Sequence, residues 1–247
     1  AGKKELPETD AFCVESAGLS ALTQMEWAIR RSVQEGKITV DCNFETNTQI
    51  IERINSGEEY YEDLPETIEM VQMLEEQTPR LFRFYEKVLN GYCRDKNLLL
   101  AKENPEEFKV EGSYEFLKYL YDNGVKNYFI TGAVVEKGMG MYEEVEALGY
   151  EIGENQLVED IIGSTWTEKK PKDAVMRDLI KELGICSKNI LVVGDGRAEI
   201  RAGAELGALV VSRLPKSAVY QRELHKKLGT NVIIANYKDY NFRELFE

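Results

Sequence analysis

The amino-acid sequence predicts an α/β protein: a doubly wound, mostly parallel sheet into which an all-helical segment is inserted. Three observations lead there. Short, wholly apolar runs recur in the second half of the chain, and amphipathic stretches separate them. Residues from about 20 to 107 carry helical periodicity instead, with few glycines and prolines. After residue 108 the two kinds of segment alternate. Apolar runs bounded by turn residues fit strands buried on both faces, and their alternation with helices implies parallel crossover connections.

The run from Asn189 to Ser212 is the most informative. Ile190 to Val193 are consecutively apolar, Gly194-Asp195-Gly196 breaks the strand, and Glu199-Ile200 opens a helix. Apolar or small residues recur at Ile200, Gly203-Ala204 and Gly207, and a second apolar strand follows at Ala208 to Val211. Asp195 and Glu199 therefore stand at the carboxyl end of a strand, where ligands bind in open α/β sheets. Two readings of them are open. Asp195 is a helix N-cap and Glu199 a first-turn acid that suits the helix dipole. Alternatively both face a hard divalent cation such as magnesium, which takes carboxylate, water and phosphate oxygens. A dinucleotide fingerprint fails, because Glu199 occupies the place of the third glycine and would repel a pyrophosphate.

Three other segments complete a pattern. Ala11 to Val14 reads as a buried strand with Glu15 at its tip, followed by Ser16-Ala17-Gly18-Leu19. Asn127 to Ile130 is a short strand ending in Thr131-Gly132, preceded by an amphipathic helix through Phe116, Leu117, Leu120 and Tyr121. Lys169-Lys170-Pro171-Lys172 precedes another such helix (Val175, Leu179, Ile180, Leu183) closed by Gly184, and a cation there can neutralise a phosphate. Ile233-Ile234 reads as the last strand and Phe242 to Phe246 as a closing helix.

In this order, the four motifs resemble the haloacid dehalogenase-like superfamily, whose members are mostly magnesium-dependent phosphatases. The resemblance covers roughly residues 8 to 19 and 108 to 240, and Gly194-Asp195 with Glu199 is its specific part. It implies an α/β core over residues 1–19 and 108–247, with a helical cap over 20–107 that closes on small substrates. Gly18, Ser20 and Gly112 would mark the crossings between them. It implies that Thr131, Gly132 and Lys170 hold the phosphoryl group, that Lys170 orients the nucleophile, and that magnesium sits among Glu15, Ala17, Asp195 and Glu199.

The first motif departs from the family. Its pattern is Asp-x-Asp-Gly-Thr, with the first Asp as nucleophile and the second as general acid/base. Here the letters are Glu15-Ser16-Ala17-Gly18-Leu19, and only the glycine is kept. Glutamate is one methylene longer, and a misplacement of about 1 Å can cost about 10²-fold. The missing acid/base at Ala17 removes a further ~10²–10⁴-fold. The expectation is a site able to bind a small phosphorylated metabolite and poorly able to turn it over. A working phosphohydrolase using Glu15 and a protein-interaction module are the alternatives.

Bulk properties narrow the class. The 247 residues suffice for a sizeable core, and a formal charge of −13 disfavours nucleic acid and anionic membranes as partners. No apolar run reaches the roughly 18 residues of a membrane span, and no secretory core opens the sequence, so a cytoplasmic protein is expected. Cys13, Cys42, Cys93 and Cys186 are far apart and read as reduced thiols, with Cys13 and Cys186 in the core. His225, the single histidine, lies in a charged stretch and reads as a surface residue, which sets aside a zinc-histidine cluster and a serine triad. In the helical segment, Pro65 and Pro79 suit first turns of helices. Arg30-Arg31, Lys37, Arg80 and Arg83 are solvated or reach a substrate phosphate. Tyr60, Tyr61, Phe82, Phe84, Tyr85 and Tyr92 read most simply as cap core.

Overall fold

The computed structural model describes residues 12, 16, 19–166, 168 and 171–238. Three helices come first: α1 (Ala21–Gln34), α2 (Phe44–Ser56) and α3 (Ile68–Leu89). Each begins where the sequence supplies a side-chain acceptor. Ser20 caps Thr23 N–H, Asn43 caps Glu45 and Thr46, and Thr67 caps Met70. A π-helical turn (Asn90–Arg94) leads into α4 (Asp95–Glu103) and the single turn α5 (Pro105–Phe108). Pro79 does not open a helix as expected. It lies inside α3, and the buried face formed by Leu74, Thr78 and Phe82 carries the helix past the lost hydrogen bond.

What orders these helices is a buried ion cluster. Arg30 is 0% exposed. Its guanidinium is 2.7 Å from Glu26, grips Glu66 with two bonds of 2.6 and 2.9 Å, and donates to Asn47 Oδ1 at 3.2 Å. Tyr61 donates to Glu26 at 2.5 Å, and burial with that contact pushes its phenol pKa far up. Arg30 is thus consumed by the fold and cannot reach a substrate. Arg31 pairs with Glu35 at the surface. Ile29, Val33, Met70 and Leu74 pack beside the cluster.

The second half alternates as expected: α6 (Ser113–Asp122), β1 (Tyr128–Val134), α7 (Met141–Ala147), β2 (Asp160–Ser164), α8 (Lys172–Leu183), β3 (Leu191–Gly194), α9 (Arg197–Leu206), β4 (Leu209–Arg213), α10 (Val219–Lys227) and β5 (Val232–Ile234). All strand pairing among these elements is parallel, which confirms the α/β class. The strands form two groups, β1–β2 and β3–β4–β5. Helix α6 bridges them: Tyr114 and Leu117 pack with the β1–β2 cluster, while Phe116 and Leu120 pack with Val211 and Ile234. Ile130 of β1 joins the cluster of Met176, Val192 and Ile200.

Several local expectations need correction. The strand expected at Ala11 to Val14 is not seen at the described residues. The Phe12 carbonyl accepts from Ser16 N–H at 2.7 Å, a helical span, and the Phe12 ring stacks on Trp27 at 3.8 Å. Phe12 is the one residue of that run described, and its ring is buried against the helical layer. His225 is not a surface residue. It is 1% exposed on the inner face of α10, with Nδ1 2.8 Å from Ser212 Oγ. Cys186 is exposed, not core. Of the six aromatic residues expected to fill the cap, Phe82 is buried, whereas Tyr60, Phe84, Tyr85 and Tyr92 are exposed. Cys13 and the Phe242–Phe246 helix lie outside the described residues.

Two predictions come from this packing. Arg30→Ala leaves Glu26 buried without its counter-charge, and a loss of about 3–5 kcal/mol is expected in urea unfolding. The second concerns pH. Burial lowers the His225 pKa below its ordinary 6.5, partly offset by Glu199 and Asp195. The unfolded chain therefore takes the proton first. This contribution to stability is complete above about pH 6.5 and is lost as the pH falls through 6.5 toward the folded-state value. Urea midpoints should drop between pH 7.5 and 5.5, with a smaller drop in His225→Gln.

Candidate functional site

Thr131 and Gly132 lie in the second half of β1, which continues three residues beyond Thr131 instead of ending there. The register with β2 shifts between Ile130 and Val134, so this stretch is irregular. Thr131 Oγ1 accepts from Ala133 N–H at 3.1 Å, a local bond that fixes the hydroxyl. At Gly132 a Cβ would lie 2.4 Å from the Leu19 carbonyl oxygen and 3.0 Å from its carbon. Only glycine lets the chain entering α1 pass this close to the strand.

At the end of β3, Glu199 is the third residue of α9 and folds back over the turn. Its Oε1 accepts from Gly196 N–H at 2.7 Å, and its Oε2 lies 3.2 Å from Lys172 Nζ. Both side chains of that ion pair are largely buried. Cβ atoms on Gly194 or Gly196 would come within 2.4 and 2.7 Å of this side chain, so both glycines make room for it. The capping reading therefore describes Glu199. It does not describe Asp195: the N-cap is Gly196, and Asp195 is exposed with no hydrogen bond or ion pair to another described residue.

Lys172 is the residue that sequence reasoning passed over. The Lys169-Lys170-Pro171-Lys172 run was visible, but Pro171 caps α8 and makes Lys172 its first residue. Its direction depends on how α8 packs, which no local pattern records. Lys172 lines a cleft of about 1120 Å³ together with Thr131 and Gly132. Met25, Phe82 and Trp166 form the adjoining wall. Asp195 and Glu199 are not part of this lining. Glu15, Ala17 and Lys170 lie outside the described residues.

Magnesium needs several oxygen ligands and retains water. Of the residues described, Asp195 offers an uncommitted carboxylate, whereas both oxygens of Glu199 are engaged. Among the described residues no group of three or more His, Cys, Asp or Glu side chains converges on one point. Glu15 and Ala17, the other expected positions, lie outside the described residues. Thr131 and Lys172 both line the cleft, and a hydroxyl and an ammonium group are the kinds of donor that bond phosphate oxygens.

A family model described as haloacid dehalogenase-like hydrolase matches residues 44–212, more than half of the chain, and begins after the Glu15–Leu19 segment. Similar solved structures include a hydrolase from Pseudomonas syringae, at 14% identity and TM-score 0.46, covering 94% of each chain. A β-phosphoglucomutase from Clostridium difficile is similar at 14% identity and TM-score 0.42, over 94% of this chain and 92% of that one. A HAD family hydrolase from Deinococcus radiodurans R1 with bound phosphate and sodium is similar at 15% identity and TM-score 0.43, over 92% and 90%. No curated protein matches the sequence.

The commitment of Glu199 is testable by stability alone. Glu199→Ala strands the Gly196 N–H and the Lys172 ammonium, and should cost about 1–3 kcal/mol in guanidinium unfolding. Glu199→Gln keeps an acceptor for Gly196 and should lose less. Equal stability of all three proteins would show that the carboxylate is not bound into the fold.

Proposed function

The chain belongs to the haloacid dehalogenase-like hydrolase family, and from that premise we propose that it binds a small phosphorylated metabolite and hydrolyses it weakly or not at all. In this reading Thr131, Gly132 and Lys170 receive the phosphoryl group, and Lys172 supplies further positive charge. Residues 1–19 and 108–247 form the core, and 20–107 serve as the cap.

The observation that carries the proposal is the first motif, Glu15-Ser16-Ala17-Gly18-Leu19. Ala17 has no group that can move a proton to a leaving alcohol, and Glu15 is a methylene too long for the nucleophile's place. Together these remove the two carboxylate functions on which turnover depends. The phosphate-facing side keeps its hydroxyl and cations. The change therefore falls on the carboxylates needed for turnover and leaves the groups that would hold the phosphoryl group in place.

Phosphatases of this family generally use magnesium. In this chain Asp195 would be its protein ligand, joined by Glu15 and the Ala17 segment. With Glu199 committed to the fold, the affinity expected of such a set is low. A formal charge of −13 and the absence of a long apolar helix among the described residues give no support to nucleic-acid or membrane partners.

Release of inorganic phosphate from a panel of phosphorylated metabolites, measured with magnesium, tests the reading. The unaltered protein should stay near background, Glu15→Asp should raise the rate, and both should bind orthovanadate by calorimetry. Good turnover of one compound by the unaltered protein, abolished in Glu15→Ala, would establish an enzyme built on glutamate and overturn the proposal.

A further inference from the structure

Beyond the phosphate end, the cleft offers much more wall than a small phosphorylated acid or sugar needs. At about 1120 Å³ it exceeds the roughly 300–1,000 Å³ of ordinary small-molecule sites. Its near wall is apolar and continuous. Phe82 is buried against Ala21 and Leu22, and Met25, Val134 and Trp166 pack onto the same cluster. Trp166 is held from several directions. Its ring centroid lies 5.4 Å from that of Phe82, the Arg83 guanidinium stands 5.5 Å over the ring, and the indole N–H donates to Glu136. An indole anchored in this way loses little freedom when a second ring packs against it.

Of the polar groups close to this wall, Arg83 lies with its guanidinium over the Trp166 ring, and three others are bonded elsewhere. Glu136 accepts from Trp166, Gln24 donates to the Ser16 carbonyl, and Arg94 at the far side is paired with Glu143 and Glu144. A hydroxyl-rich sugar would trade water for few hydrogen bonds there. An apolar ring would displace water from the partly exposed indole and methionine at no such cost.

Resting on the phosphate-site reading above, we propose that the ligand is a phosphate ester whose body is an apolar or aromatic ring. The phosphoryl group lies at Thr131 and Lys172, and the ring lies against Trp166 and Met25. The distance between the two ends is set by β1 and by the crossing chain at Leu19. Specificity then resides in the ring wall, and the phosphate end provides a common anchor.

The test is a pair of non-hydrolysable ligands with one head group, methylphosphonate and 1-naphthylmethylphosphonate, titrated by calorimetry with 1-naphthalenemethanol as the headless control. The naphthyl phosphonate should bind about tenfold more tightly than methylphosphonate. Trp166→Gln and, independently, Met25→Gln should remove most of that advantage while leaving methylphosphonate affinity unchanged, whereas Trp166→Phe should retain it. Equal affinity of the two phosphonates would overturn the ring proposal and leave the phosphate site standing. Binding of 1-naphthalenemethanol as tight as that of its phosphonate, with none for methylphosphonate, would overturn the phosphate site instead. Failure of all three ligands to bind would overturn both.

Discussion

The contact on which the site depends is the approach of the Leu19 carbonyl to Gly132. A side chain at 132 would occupy space within 2.4 Å of that oxygen, so the entry to α1 and the second half of β1 are set against each other by the absence of one carbon atom. The crossing is held a second time at its next residues. Ser20 N–H and the Thr23 hydroxyl both donate to Glu59, at 2.8 and 2.6 Å, from a loop nearly forty residues further on. Buried charge-assisted bonds of this kind tolerate little displacement. Helices α1 and α3 are thereby brought over the strand that carries Thr131, and the cleft is the space left between them.

Within that frame, charge is spent on structure before chemistry. Glu199 closes the first turn of α9 and neutralises Lys172, and two glycines are kept small to admit it. Lys172 in turn reaches both the carboxylate and the cleft. A phosphate bound at Lys172, as proposed, would compete with Glu199 for the same ammonium and would couple anion binding to the stability of the β3–α9 turn. Asp195 stands apart, exposed and without a hydrogen bond or ion pair among the described residues.

The α/β class and the order of elements after residue 108 were legible because apolar runs and helical stripes depend on near neighbours in sequence. Asp195 and Glu199 were legible as strand-end features for the same reason, whereas the strand carrying Thr131-Gly132 runs on to Val134. Other assignments failed where the deciding partner is remote. Arg30 looked available until Glu66, thirty-six residues away, claimed it with two bonds. His225 sits among Arg222 to Lys227 in sequence, yet the register of α10 turns it onto Ser212. Phe12, the one described residue of an apolar strand pattern, is helical and stacks on Trp27. Pro79 read as a helix start because its local cost is real. That cost is met by Phe82 and Leu74 on one buried stripe, which a proline rule does not weigh.

The helical layer is unequal along its length, and the inequality bears on recognition. Its first part is locked by the Arg30 cluster and by Ile50, Ile51 and Ile54 beneath Trp27. Past Phe82 the character changes: Phe84, Tyr85, Val88, Leu89, Tyr92 and Leu99 are all exposed, and a π-helical turn interrupts α3 before α4. Few buried contacts and solvent-facing helix mean a low cost of local opening, in contrast to the cooperative unit around Arg30. Tyr85 and Leu89 from this weakly packed half also line the cleft. One wall of the cleft is therefore anchored through Phe82 and Trp166, and the other belongs to the part of the layer that adjusts most cheaply. An anchored wall selects by shape, whereas an adjustable wall admits bodies of different length. The combination suits a ligand defined by its ring and its phosphate more than by the groups between them.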